Sequence, residues 1–305
     1  MSFDIRILGA NSAVPNKDRF PTCQCVSIHN ENILIDCGEG AQINISHYRI
    51  KQSKIRTILI SHLHGDHVYG LPGLLNSLSM FGRKEVLQIY GPVGIKDFIE
   101  AVFAHTYVHL QYDLTIHELD HSGISEICKT KTAIISAFPM QHRIPTYGYL
   151  ITERAQSLNI NPLAIEKYSL DIPQIKAAKA GDSITTAGGI FIPNEKLVLA
   201  QKKQRTYAYC SDTVYDLDLV SYIYQADLLY HEATYLHELQ EKAAERMHST
   251  AREAAQIAHA AEVSKLIIGH YSSRYDDLKV LEDEAKAVFH NTNIVRQGDI
   301  FSIEN

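Results

Sequence analysis

Residues Ser61 to Gly73 read Ser-His-Leu-His-Gly-Asp-His-Val-Tyr-Gly-Leu-Pro-Gly and place three histidines and a carboxylate within six positions, directly after an apolar run. No other stretch constrains the chain as tightly. The run before it, Ile55 to Ile60, is short, apolar and β-branched, which predicts a buried strand. After it, Leu71, Leu74, Leu75, Leu78 and Phe81 recur at helical spacing. The polar cluster therefore falls on a strand-to-helix crossover, where a loop is held by rigid neighbours. Neutral imidazoles suit zinc, and a carboxylate adds a hard oxygen ligand. His62 and His64, two apart in an extended segment, can face one ion. Asp66 and His67, past the permissive Gly65, can turn toward a second. A solvated histidine-rich turn is the plainer alternative, because sixteen histidines in 305 residues make some clustering expected. The ordered H-x-H-x-D-H pattern at a strand end favours a metal-binding loop.

Acids and histidines recur where other apolar runs stop. Strands are predicted at 3–8, 23–29, 32–36, 86–90, 114–119, 133–138, 206–210, 226–230 and 265–268, with an amphipathic helix near 93–104. The strand at 32–36 ends in Asp36-Cys37-Gly38-Glu39-Gly40, where Asp36 either orients a histidine ligand from behind or belongs to a simple turn. A two-metal site needs about three ligands beyond the first four, including an anion able to bridge ions ~3.5–4 Å apart. His142, Asp212 and His270, each just past a predicted strand, complete a seven-ligand set with Asp212 as the natural bridge. His105, His109, His117 and His121 lie in mixed polar surroundings and read as surface or core residues. Ser249 or Thr250 suits the N-cap of a following helix.

The formal charge of −6 argues against a protein that coats nucleic acid indiscriminately, so any nucleic-acid contact must come from a local basic patch. Five cysteines without ribbon or thioredoxin spacing, and a start lacking a charged-then-apolar segment, predict a reduced, cytoplasmic compartment. No apolar run approaches the ~18 residues of a membrane span. Between about 152 and 204, prolines, glycines and lysines interrupt any long period. That stretch reads either as a loosely packed insertion with lysines facing outward or as ordinary connections.

Taken together, these segments resemble the metallo-β-lactamase superfamily and, within it, the tRNA 3′-processing endonucleases of the ribonuclease Z family. The resemblance rests on Leu34 to Gly40, Ser61 to Leu75, His142 with Pro145-Thr146-Tyr147-Gly148-Tyr149, Ser211-Asp212-Thr213, His231-Glu232-Ala233-Thr234-Tyr235, His248-Ser249-Thr250 and Gly269 to Tyr275. The first loop marks only the superfamily, and the later elements narrow it. The resemblance implies an α/β chain folded as a four-layer αββα sandwich, one domain over 1–305 with a tRNA-binding arm inserted at about 152–204. It implies two zinc ions per subunit, one on His62, His64 and His142, the other on Asp66, His67 and His270, with Asp212 between. Asp66 also serves as general base. The expected substrate is a tRNA precursor, cut to leave a 3′-hydroxyl on the tRNA by a cytoplasmic homodimer that uses neither DNA nor membrane as partner.

His248 is the expected proton donor to the departing ribose oxygen, with Glu232 orienting its ring, although His248 could instead serve only a helix start. Two segments depart from the family pattern. Asn16-Lys17-Asp18-Arg19-Phe20 keeps only the basic pair of the loop after the first strand, and Asn159-Ile160-Asn161-Pro162 stands where the arm tip is often Gly-Pro rich. The alternative activity is that of a metallo-β-lactamase-fold hydrolase of a small phosphodiester, lactone or thioester.

Overall fold

The computed structural model describes residues 2–16, 19–155, 158–186, 188–199 and 203–304; Lys17 and Asp18 of the first polar loop and Lys202 of the insertion lie outside the described residues. The chain divides into two compact units, one of Met1–Glu153 with Arg205–Glu304, the other of Arg154–Gln204.

Two seven-stranded sheets build the larger unit. The first runs, in spatial order, Ile300–Ser302, Phe3–Gly9, Cys23–Ile28, Glu31–Ile35, Ile55–Leu59, Leu87–Pro92 and Leu114–Leu119. The second runs Thr292–Ile294, Leu266–Gly269, Leu228–Glu232, Thr206–Cys210, Thr146–Glu153, Ala133–Met140 and Ser125–Lys129. Parallel pairing from Glu31–Ile35 across to Leu114–Leu119 requires crossovers. Helices Leu71–Met80 and Ile95–Thr106 lie on two of these connections.

The central strands of the first sheet are covered on both faces, which is why Glu31–Ile35 and Ile55–Leu59 end in continuous apolar runs. Phe3, Ile5, Ile7, Ile33 and Ile35 join Ile135, Tyr149, Ile151 and Tyr207 of the second sheet in one apolar cluster. Leu8, Leu34, Ile58 and Ile60 point the other way and pack with Leu71, Leu74, Leu75 and Leu78 of the helix. Helix Ala251–Ala260 covers the second sheet through Ala254, Ala255 and Ala258. The result is the expected order of helix, sheet, sheet, helix. Phe81 departs from its helical pattern: the helix stops at Met80 and leaves Phe81 76% exposed.

The smaller unit is not loosely packed. Helices Pro162–Tyr168 and Ile172–Ala180 and the hairpin Ile184–Thr185 with Phe191–Ile192 enclose Ala164, Leu170, Ala178, Ile184, Ile192 and Leu197. Asn161 caps the first helix by accepting from the Leu163 amide at 3.0 Å, and Pro162 enters its first turn. Asn161 and Pro162 thus start a helix, as an N-cap asparagine before a proline should. No helix among the described residues is long and apolar enough to cross a membrane.

Candidate active site

The strand ends deliver the side chains. Ser61 to His67 follow Ile55–Leu59, and Asp36 follows Glu31–Ile35. From the second sheet come His142 after Ala133–Met140, Asp212 after Thr206–Cys210, Glu232 closing Leu228–Glu232, and His270 after Leu266–Gly269. The loops of Asp36 and Asp66 pack backbone to backbone, with the Cys37 amide donating to the His67 carbonyl at 2.8 Å and the Gly70 amide to the Cys37 carbonyl at 2.9 Å. This approach needs glycine. A Cβ on Gly70 would stand 2.2 Å from the Gly38 carbonyl oxygen, and one on Gly38 would stand 2.3 Å from that of Asp66.

All seven expected ligands converge, in two groups. His62, His64, His142 and Asp212 form one, and Asp66, His67 and His270 the other, the donor atoms of each lying within 4.8 Å of one another. In the first group His62 Nε2 is 3.1 Å from His64 Nδ1, and His142 Nε2 is 3.3 Å from the same atom. In the second, His270 Nε2 is 3.3 Å from Asp66 Oδ2 and 3.4 Å from His67 Nε2. Asp212 faces both groups with different oxygens. Its Oδ2 lies 3.6 Å from His62 Nε2 and 3.9 Å from His142 Nε2, and its Oδ1 lies 3.5 Å from His67 Nε2 and 3.3 Å from His270 Nε2. His105, His109, His117 and His121 belong to neither group. His117 instead stacks on Tyr90 at 4.4 Å, and His121 meets the Ala137 carbonyl.

The donor set fits metal ions. Four imidazoles have their far nitrogen engaged: His62 Nδ1 by the Ser61 hydroxyl at 3.1 Å, His67 Nδ1 by Asp36 Oδ2 at 2.8 Å, His142 Nδ1 by the Met247 carbonyl at 2.8 Å, and His270 Nδ1 by the Thr234 hydroxyl at 2.9 Å. Protons held there leave lone pairs on the converging nitrogens, the arrangement by which partners behind a ligand fix its tautomer. Asp212 Oδ1 is buried without a hydrogen-bond donor among the described residues, an unmet acceptor that a cation satisfies. Burial pushes His62, His64 and His142 below the usual histidine range, toward the neutral form that coordinates. Around His67, burial is outweighed by Asp212, Asp66 and Asp36, a concentration of negative charge that also suits a cation. Burial likewise works against ionised Asp66, but His67, His270 and the Ala13 amide at 2.8 Å hold its carboxyl well below the ordinary range.

Beside the ligands, Glu232 is fully buried and accepts from His248 Nδ1 at 2.8 Å and the Thr213 amide at 3.1 Å on one oxygen. Thr234 donates to its other oxygen from its hydroxyl at 2.7 Å and its amide at 3.1 Å. Burial disfavours charge on both partners, yet their mutual attraction and hydrogen bond win, lowering Glu232 and raising His248 to about 9. Thr250, not Ser249, caps the following helix in a reciprocal box with Glu253, while Ser249 donates to the Thr213 carbonyl. Sequence reasoning assigned no role to Ser61, Tyr209 or Thr234. Ser61 and Tyr209 hold Asp36, and neither carries a sequence signal beyond its place at a strand end or on a strand.

A family model described as Anti-Pycsar protein Apyc1 matches residues 3–157, just over half of the chain. A ribonuclease Z of Porphyromonas gingivalis is 38% identical over 291 residues, covering 95% of this chain and 96% of the relative. That of Parabacteroides distasonis is 38% identical over 301 residues, covering 99% of each. Among solved structures, the short form of human tRNase Z superposes with a TM-score of 0.74 at 26% identity, covering 99% of this chain and 100% of that one. The chain therefore belongs to the Apyc1 family over residues 3–157 and, over nearly its whole length, to the ribonuclease Z family, endoribonucleases built on the metallo-β-lactamase fold.

Proposed function

We propose that this tRNA 3′-processing endoribonuclease works with two zinc ions, one on His62, His64 and His142, the other on Asp66, His67 and His270, with Asp212 shared. The observation that carries the reading is the division of Asp212, one carboxylate oxygen turned toward each histidine group. Bound there, the ions supply Lewis acidity toward phosphate oxygens and an activated water at neutral pH. The chain's own groups handle protons. Asp66, kept ionised by its neighbours, accepts the proton of the attacking water. As water adds to phosphorus, the bond to the ribose 3′ oxygen breaks, the phosphate stays with the trailer, and the tRNA keeps a 3′-hydroxyl. His248, held charged and oriented by Glu232, gives its proton to that departing oxygen.

Residues 154–204 serve as the arm that grips tRNA. They carry seven basic against four acidic side chains in a chain of net charge −6, and Lys167, Lys176, Lys179 and Lys196 are exposed on a unit with its own core. Five unpaired cysteines support a reducing, cytoplasmic setting, and the family resemblance supports a homodimer.

The test is cleavage of a tRNA precursor by the zinc-loaded protein, with the new 3′ end mapped. A ribose alkoxide needs a proton to leave and a nitrophenolate does not, so His248→Ala should slow tRNA cleavage by ~10²–10⁴. It should largely spare a nitrophenyl phosphodiester, with zinc content unchanged. An upstream product ending in phosphate, or equal loss on both substrates, overturns the assignment. Turnover of small phosphodiesters, lactones or thioesters with none of tRNA would point to the alternative hydrolase.

A further inference from the structure

We infer that Thr234 is a positioning residue that ties a ligand of the second ion to the same carboxylate that holds the proton donor, so that Glu232 anchors both. The inference rests on the two-ion reading above.

A threonine hydroxyl has one hydrogen to give and two lone pairs to receive. His270 turns Nε2 toward Asp66, Asp212 and His67, which puts its proton on Nδ1, and Nδ1 meets Thr234 Oγ1 at 2.9 Å. That bond occupies one lone pair of the hydroxyl. Its single hydrogen has two acceptors in reach, Glu232 Oε2 at 2.7 Å and the His270 carbonyl at 3.0 Å. The ionised carboxylate, closer and charged, takes it. His248 Nδ1 stands 3.4 Å from the same hydroxyl but 2.8 Å from Glu232 Oε1, so its proton goes to the carboxylate. A continuous relay results: His270 donates to Thr234, Thr234 to one oxygen of Glu232, and His248 to the other. Thr234 and Glu232 are 3% and 0% exposed, so water does not compete for these bonds. His270 itself sits at φ +60, a backbone conformation that a non-glycine residue holds only when its surroundings impose it.

The relay has a consequence that separate roles would not produce. Glu232 touches no ligating atom, yet its neutralisation should loosen an ion. Thr234→Val keeps the shape and the amide bond to Glu232 but removes the hydroxyl. Loss of a partner behind a ligand typically lowers metal affinity 10–100-fold. Zinc is titrated into the metal-free protein against a chromogenic chelator, with folding checked by circular dichroism. Wild type should hold two ions; Thr234→Val and Glu232→Gln should each hold one normally and the other 10–100-fold more weakly. Thr234→Ser should restore the second, and His248→Ala should retain both. Wild-type affinity for both ions in Thr234→Val or in Glu232→Gln overturns the inference. So does equal loss in Thr234→Ser, which would mean that the threonine methyl acts through packing. Failure of wild type to bind two ions, or of His270→Ala to release one, overturns instead the two-ion reading.

Discussion

Asp36 offers the sharpest test of how the fold supports the site. Its carboxylate is fully buried at the end of Glu31–Ile35 and accepts from the Ser61 amide at 2.7 Å, the Ser61 hydroxyl at 2.9 Å, the Tyr209 hydroxyl at 2.6 Å and His67 Nδ1 at 2.8 Å. The Ser61 hydroxyl has a second partner in Ser211 at 3.1 Å, and His67 Nδ1 a second in the Ser61 hydroxyl at 3.3 Å, which leaves two donors, the Ser61 amide and the Tyr209 hydroxyl, dependent on Asp36. Asp36→Ala strands these in the dry interior. Each unsatisfied buried donor costs about 1–3 kcal/mol, so the two together cost about 2–6 kcal/mol. Whole domains are stable by only about 5–15 kcal/mol. The variant should therefore unfold at much lower urea than wild type with the slope unchanged, or fail to fold at all. Asp36→Asn keeps the volume and one acceptor oxygen. It should remain folded but bind the His67 ion 10–100-fold more weakly, because His67 loses the partner that sets its tautomer. An Asp36→Ala protein unfolding at the wild-type urea concentration would refute the accounting, as would an Asp36→Asn protein with wild-type zinc affinity.

Joining Glu153 to Arg205 by a tight turn in place of residues 154–204 is geometrically natural, since Thr152 and Thr206 are antiparallel partners. This variant should keep hydrolysis of a small nitrophenyl phosphodiester, cleave tRNA poorly, and show a flatter dependence of tRNA affinity on salt; equal loss on both substrates would make the segment purely structural. Arg205 donates two hydrogen bonds to Glu153, from Nε at 2.9 Å and Nη2 at 2.7 Å, and holds its carboxyl below the ordinary value of 4.5. A depressed carboxyl stabilises the fold at pH above its unfolded value and loses that contribution as pH falls through the folded one. The gap in urea midpoint between wild type and Glu153→Gln should be full at neutral pH and shrink below about pH 4.5; a gap independent of pH would sink the idea.

The converging histidines and acids were legible because they stand at the ends of strongly apolar strands. Ile55–Leu59 and Leu266–Gly269 lie between two covered faces, so their sequences could not be mistaken for loops. The edge strands Ser125–Lys129, Thr292–Ile294 and Ile300–Ser302 were not legible, since they are only five, three and three residues long and show no sustained alternation. Thr146–Glu153 was hidden by Gly148 near its start and Pro145 just before it, although its tyrosines and threonines suit a strand. The residues behind the ligands were illegible for another reason. Tyr209 meets Asp36 across 173 positions of sequence, and a tyrosine on a strand looks the same whether its hydroxyl finds water or a carboxylate. The left-handed backbone at Ala13, Asp36, Met247 and His270 carries no signal either, because none of these is glycine. At three of them the strain has an evident use. Ala13 presents its amide to Asp66, Met247 its carbonyl to His142, and Asp36 its carboxylate to His67.

Neither sheet alone supplies a complete donor group. His62, His64, Asp66 and His67 come from the first sheet, and His142, Asp212 and His270 from the second. Each donor group mixes the two, His62 and His64 with His142 and Asp212, Asp66 and His67 with His270. Ligands that exist as a set only in the folded chain make binding free energy into folding free energy, and here that coupling acts across the seam between sheets. The same seam is spanned by Tyr149, which donates from the second sheet to the Ile60 carbonyl at 2.7 Å, and by Tyr209, which donates to Asp36. These hydroxyls join the sheets close beside the loops whose side chains converge. Both sheets must deliver their side chains to one place, so the packing of the apolar interior and the geometry of the donor groups are the same constraint seen at two depths.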